Sequence, residues 1–268
     1  MLKKSTMGNK ASTPVKRKAE EISESGGPTK VVIAIDIESG GTDMIRHPLL
    51  AVGWYVCELG KLNQPLEAGY VCPEWLTYID QSTLESMANL SPGAMLGDVQ
   101  HGVHRQEFEK ACLEDFWHNE EKCPGGREHL AKFAAEVVPH RQAMQQIRDL
   151  IDRYDDGTEY EAVLISDNTT YDFGWLDYHL SKEGLRRVHI RSNDRYRRVF
   201  DTVDYRRGLF AMDHGKRQYG ERWIIEQLGL EIDPLEHNHT PDSDARYINM
   251  FYHHMLAEAE CRRRDQNE

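Results

Sequence analysis

The run Val31-Val32-Ile33-Ala34-Ile35-Asp36-Ile37 constrains this chain more than any other segment. It is dominated by β-branched residues, which favour an extended backbone. Its apolar residues fall on both alternating faces, so a strand built from it must be covered on both sides. The segment LLAVGWYVCE (49–58) follows the breaker Pro48 and reads as a second strand, GYVCP (69–73) as a third, and EAVLISD (161–167) as another buried strand. Helical spacing recurs at Leu130, Phe133, Ala134, Val137, Ala143, Ile147 and Leu150, with Pro139 dividing or kinking the pattern. Further helices are expected near 105–118, over 172–183 and 219–228, and from Asp242 or Ser243, either of which is a good N-cap. This order predicts an α/β fold, a mixed sheet flanked by helices. Residues 74–127 read as an insertion of short helices and loops between the first strands and the central helix, and the chain between the helices at 172–183 and 219–228 as an irregular stretch.

Composition narrows the class. The chain has 268 residues, 39% hydrophobic and 29% charged. That suits a globular protein and excludes a largely disordered one. The longest apolar run, Leu49 to Cys57, is about half the ~20 residues of a membrane span. The first residues lack the apolar core of a secretory leader. Five scattered cysteines suit a reducing, intracellular setting better than a disulfide framework. Net charge is −12, but residues 1–30 carry +4 and the remainder −16. The first thirty residues therefore read as a disordered basic tail, and 31–268 as the folded domain. Within the tail, Pro14-Val15-Lys16-Arg17-Lys18 is similar to a short nuclear-import signal, so cytoplasm and nucleus both fit. Met7-Gly8-Asn9-Lys10-Ala11-Ser12 matches the myristoylation pattern, relevant only if translation starts at Met7.

Three short constellations carry chemistry. Asp36 and Glu38 end the first strand and, two residues apart, point to the same face. Two such carboxylates repel unless protonated or bridged by a cation, and hard oxygen ligands suit Mg²⁺ or Mn²⁺. Asn168 and Asp172 sit four apart where a strand turns into a helix, at the edge where α/β sheets place ligands. His239 lies on a loop five residues before Asp244, in the first turn of the last helix, and imidazole takes a proton near neutral pH. Read singly, each has a bland alternative: a solvated pair, a helix cap, a polar loop.

Taken in order, Ile35-Asp36-Ile37-Glu38, then Asn168-x-x-x-Asp172-Phe173, then His239-x-x-x-x-Asp244-Ala245 resemble the three motifs of the DEDDh 3′–5′ exonucleases, which include proofreading exonucleases, oligoribonuclease and RNase T. Gly40-Gly41, the stretch His47 to Gly53 and Phe200-Asp201-Thr202 fit the same pattern, over residues 31 to about 258. Two features depart from it: Ser39-Gly40-Gly41 follows Glu38 where Thr-Thr-Gly is usual, and the gap from Glu38 to Asp172 is long. The resemblance implies a ribonuclease-H-like fold. It implies that Asp36, Glu38, Asp172 and Asp244 hold two divalent cations, Mg²⁺ or Mn²⁺, with His239 taking the proton from the attacking water. It implies a single-stranded RNA or DNA 3′ end as partner and nucleoside 5′-monophosphates as product, with Asn168 holding the Asp172 turn and the amides around Ser39 and Gly40 approaching the terminal nucleotide. Homodimers are common among such relatives. The alternative is a catalytically silent nucleic-acid- or protein-binding module on the same fold.

Eight arginines crowd residues 186–207, with Tyr196, Phe200 and Tyr205 interleaved. That composition suits a single-strand channel, with Arg195, Arg197 and Arg198 as substrate contacts, or else a basic loop paired with the protein's own carboxylates. Cys112, His118, Cys123 and His129 lack the tight spacing of common zinc modules.

Overall fold

A computed structural model of the chain describes residues 27–74, 95–96, 106–191, 196–209, 221–230 and 239–265. The tail through residue 26, with its import-like and myristoylation-like segments, lies outside the described residues, as does most of the expected insertion, 75–94 and 97–105. Strands β1 (Thr29–Ser39), β2 (Leu49–Glu58) and β3 (Pro65–Pro73) form an antiparallel meander. A two-residue ladder joins β4 (Met95–Leu96) and β5 (Gln106–Glu107). An α-helical turn, α1 (Lys110–Cys112), runs directly into a π-helical turn (Leu113–Trp117). Then follow α2 (Gly126–Ala135), β6 (Val137–Val138), α3 (His140–Arg153), β7 (Tyr160–Ser166) and α4 (Thr169–Lys182). The chain continues through β8 (Arg198–Asp201), α5 (Thr202–Leu209), α6 (Glu221–Leu228) and α7 (Pro241–Asp265).

The main sheet has six strands in the order β6-β3-β2-β1-β7-β8. β7 and β8 run parallel to β1, so the sheet is mixed as the sequence predicts. β8 and α5 correct the sequence reading, which left this stretch irregular. Arginine content disguised a strand whose Val199 and Phe200 pair with Leu164 and Ile165. Pro139 does divide the helical pattern, with β6 in the gap.

The alternation of β1 places the site. Val31, Ile33, Ile35 and Ile37 face a core shared with Met144, Ile147 and Ile151 of α3 and Trp175 and Leu176 of α4. Val32 and Ala34 face Ala245, Ile248 and Tyr252 of α7. Asp36 and Glu38 continue that second face, and the first turn of α7 lies over it. Gly53, opposite Asp36 in the ladder, makes this possible. A Cβ there would lie 2.0 Å from the carbonyl carbon of Pro241. A third core, with Leu113, Trp117, Cys123 and Phe133, fastens the segment after β5 onto Leu50, Ala51 and Cys72. No described helix is long and apolar enough to cross a membrane.

Candidate active site

Three elements deliver carboxylates to one place. Asp36 and Glu38 end β1, where a bulge between Glu38 and Ser39 breaks the ladder with β2. Bulges of this kind re-aim side chains beside functional sites. Asp172 stands in the first turn of α4 and is buried. Its Oδ2 accepts a 2.6 Å hydrogen bond from the Ser166 hydroxyl at the end of β7, and the backbone N–H groups of Asn168 and Ile37 also donate to it. Asp244 is buried in the first turn of α7.

The electrostatics follow from this crowding. Desolvation pushes the Asp36 carboxyl well above the carboxylate range, and the charges of Glu38, Asp172, Asp244 and Asp167 push it further. Glu38 is raised in the same way by burial, then by Asp244, Asp172 and Asp167. Burial, reinforced by Asp167, carries Asp172 to about 8, although three donors oppose the shift. Carboxylates crowded in this way repel one another unless they are protonated or bridged by a cation.

His239 completes the group. Its Nδ1 lies 3.8 Å from Asp244 Oδ2, and its ring meets Phe116 edge to face at 4.8 Å between centroids. It is the only non-glycine with positive φ among the described residues, at 56°. An L-residue holds that conformation at a cost of ~1–3 kcal/mol, and such strain gathers at functional sites. Ligand atoms of Glu38, His239 and Asp244 all lie within 4.8 Å of one another, the one such trio among the described residues. Cys112, His118, Cys123 and His129 form none. Cys123 is a core residue and the Cys112 thiol donates to the Ser39 carbonyl.

The expected substrate contacts fare unevenly. Asn168 caps α4: its side-chain oxygen accepts from Tyr171 N at 3.2 Å, and its carbonyl accepts from Asp172 N at 2.9 Å. Ser39 is buried, its hydroxyl bonded to the Gly41 carbonyl and the Tyr171 hydroxyl. Gly40 donates its N–H to Pro48 O and accepts from Glu109 N. Its missing Cβ makes room for Pro48 and Phe108. Its permissiveness thus serves packing.

Arg195 lies outside the described residues. Arg198 is exposed on β8 beside Val163, three residues back from the edge that carries Ser166 and Asp201. Arg197 overturns the expectation. It is buried, its Nε 2.6 Å from Asp155 Oδ2, and it also donates to the Val188 carbonyl. Asp155 precedes β7, at the far end of the strand from Asp172, so Arg197 is an internal ion pair remote from the carboxylates. Among the described arginines of this stretch, Arg186, Arg191 and Arg207 are also ion-paired, with Asp152, Asp155 and Asp204.

The sequence reading missed Asp167 and the π-turn. Asp167 follows β7 directly, and its position at the strand's C-terminal edge was the available signal. The π-turn has no sequence signature, yet it anchors the site: Trp117 Nε1 donates to the Ser39 carbonyl at 3.1 Å, and Phe116 reaches His239. Tyr171 adds a clasp, its hydroxyl donating to the Gly41 carbonyl at 2.9 Å.

This assembly of sheet, helices and carboxylate edge recurs in solved structures. The nuclease domain of 3′hExo, described as a DEDDh family member bound to rAMP, superposes with a TM-score of 0.53 at 11% identity, over 88% of this chain and 95% of that one. A full-length 3′-exonuclease superposes with a TM-score of 0.52 at 12% identity, over 86% and 83%. The fold is that of the DEDDh 3′-exonucleases. Exonuclease I of E. coli, in complex with a dA16 oligonucleotide, shares this exonuclease fold at a TM-score of 0.50 and 10% identity, over 85% of this chain but 41% of its own length. No family model and no curated protein matches the chain by sequence. The ribonuclease-H-like architecture expected of the three motifs is therefore present at an identity where sequence comparison finds nothing.

Proposed function

We propose that this chain is a divalent-metal-dependent 3′–5′ exonuclease that shortens single-stranded RNA or DNA and releases nucleoside 5′-monophosphates. The observation that carries the reading is the convergence of Asp36, Glu38, Asp172 and Asp244, from segments far apart in sequence, beside His239. A structural role does not call for so many acidic groups that raise one another's pKa values. The donor set is all oxygen apart from the imidazole, which suits Mg²⁺ or Mn²⁺.

Asp36, Glu38, Asp172 and Asp244 would hold two such ions. When bound, they supply Lewis acidity at the scissile phosphate and lower the pKa of the attacking water. His239 takes a proton from that water as its oxygen bonds to phosphorus. The bond from phosphorus to the 3′ oxygen of the shortened strand breaks, and that oxygen takes a proton from solvent. The released nucleotide keeps the phosphate on its 5′ carbon. Ser166 and the N–H groups of Ile37 and Asn168 fix the Asp172 carboxylate, so one ligand is oriented before any ion arrives.

The test is digestion of 5′-labelled single-stranded RNA and DNA with Mg²⁺ or Mn²⁺, wild type beside Asp36→Ala. A ladder shortening from the 3′ end, absent in the variant, is expected. Cutting of a strand with a blocked 3′ end would overturn the exonuclease reading in favour of an endonuclease. Binding without cutting would favour the silent module.

A further inference from the structure

A cavity of about 170 Å³ opens beside the carboxylates. That is room for about five waters at ~30 Å³ each, or for one tetrahedral oxyanion. Asp36, Asp167 and Asp244 line it together with Thr202 and Arg206 of α5, and Tyr247, Ile248, Phe251 and Met255 of α7 give it an apolar wall. Thr202 and Arg206 are four apart on one helix, so both reach it from the same face.

Of the described arginines between 186 and 207, Arg206 is the one that lines this cavity. Arg186 pairs with Asp152, Arg191 and Arg197 with Asp155, and Arg207 with Asp204. Arg206 shares its cavity with three carboxylates, yet among the described residues it closes an ion pair or hydrogen bond with none. A guanidinium so placed offers a planar, two-pronged donor suited to phosphate. The need for one is plain, since residues 31–268 carry a net −16 and the incoming strand is a polyanion.

We propose that Arg206, with the Thr202 hydroxyl beside it, binds the phosphate one linkage upstream of the scissile one. The proposal rests on the exonuclease reading. The released nucleotide carries the scissile phosphate, so a second anion at the site must belong to the next linkage toward the 5′ end. Cations on the carboxylates would serve the first phosphate, and Arg206 serves the second. The contact makes the site prefer strands with at least two linkages.

The test compares wild type, Arg206→Ala and Arg206→Lys on a dinucleoside monophosphate (one linkage) and a trinucleoside diphosphate (two). Arg206→Ala should raise KM for the longer substrate by about tenfold to hundredfold, the range of a hydrogen bond to a charged group. It should leave the shorter one unchanged, with kcat changed little on either, and Arg206→Lys should recover part of the loss. A neutral methylphosphonate at the penultimate linkage should weaken binding to wild type and make no difference to Arg206→Ala. An equal KM change on both lengths, or a methylphosphonate penalty that survives in Arg206→Ala, would overturn the proposal. The same modified and unmodified decanucleotides, followed by fluorescence anisotropy in EDTA, read the contact without turnover. A wild type that binds with the methylphosphonate penalty but cuts nothing would therefore sink the exonuclease reading and leave the phosphate contact standing.

Discussion

His239 is the residue on which turnover should depend most separably from folding. It sits on a loop, a fifth of its side chain exposed, beside Asp244 and against Phe116. Replacing it with Ala removes the proposed proton acceptor and no carboxylate, so kcat should fall by about 10²–10⁴-fold while the melting temperature changes little. A loss of less than fivefold in a steady-state assay would remove it from proton transfer. The carboxylates make a second prediction, about pH. Asp172, raised to about 8, holds a proton in the folded state that the unfolded chain releases near its ordinary pKa of ~3.9. Asp36 and Glu38 are raised with it. The folded state binds more protons, so stability falls as pH climbs from the unfolded value toward the folded one. Metal-free protein should therefore melt lower at pH 8 than at pH 7. Added Mn²⁺ should raise the melting temperature more at pH 8, where the ion competes with fewer protons. Scanning calorimetry at both pH values, with EDTA and with Mn²⁺, checks this, and Asp172→Asn should flatten the metal-free dependence. Asp36, Glu38, Asp172 and Asp244 were legible in sequence because each sits at a strand end or in a first helical turn, and His239 because it lies on the loop five residues before Asp244. Arg197 was misread because composition cannot tell an arginine facing solvent from one buried against Asp155.

Among the elements, the β2–α7 junction holds the site together. Gly53 lets the Pro241 backbone rest directly on the sheet beside Asp36. The methyl of Gly53→Ala would meet backbone atoms within 2.0–2.5 Å. α7 must then shift and carry Asp244 with it. The expected cost is about 1–3 kcal/mol or more, read from urea unfolding, together with a loss of activity beyond what instability explains. Unchanged stability would mean that this contact is looser than it stands. Between α3 and α4, His140 Nδ1 lies 2.6 Å from Glu183 Oε1 and its Nε2 2.8 Å from Nδ1 of the buried His179. Desolvation lowers both pKa values, His179 most strongly. The folded protein thus resists protonation that the unfolded chain accepts below ~6.5. Stability from this pair is present above that value and is lost as pH falls through it, so the urea midpoint should drop between pH 7 and 5. His179→Phe, which keeps a ring against Trp175, should reduce that drop. An equal drop in the variant would place the acid sensitivity elsewhere. The strands of the meander and helices α2 to α4 were legible from apolar period. β8 was not, because Arg198 stands in a four-residue strand at the sheet edge. The π-turn was not either, because its 108–117 segment is fixed by tertiary contacts with Ser39, Leu50 and His239 rather than by local preference.

For the whole molecule, charge distribution separates an exonuclease site from a broad binding surface. The body carries −16, and most described arginines between 186 and 207 are paired internally. On the exonuclease reading, a strand at such a site would be gripped by ions on the carboxylates and by few protein cations. Each phosphate neutralised by protein adds about −0.7 to the slope of log affinity against log salt for single strands. One to three contacts, Arg206 among them, give a slope between about −0.7 and −2. A basic module gripping six phosphates would give about −4. Anisotropy titrations of a labelled decanucleotide from 50 to 500 mM KCl measure this directly, with Ca²⁺ present throughout to occupy the carboxylates. A shallow slope is expected, and it should persist when residues 1–26 are deleted. A steep slope lost with that deletion would assign binding to the basic tail. A steep slope retained without the tail would require a cationic surface on the body that its acidic composition disfavours, and would move the function toward binding rather than cleavage.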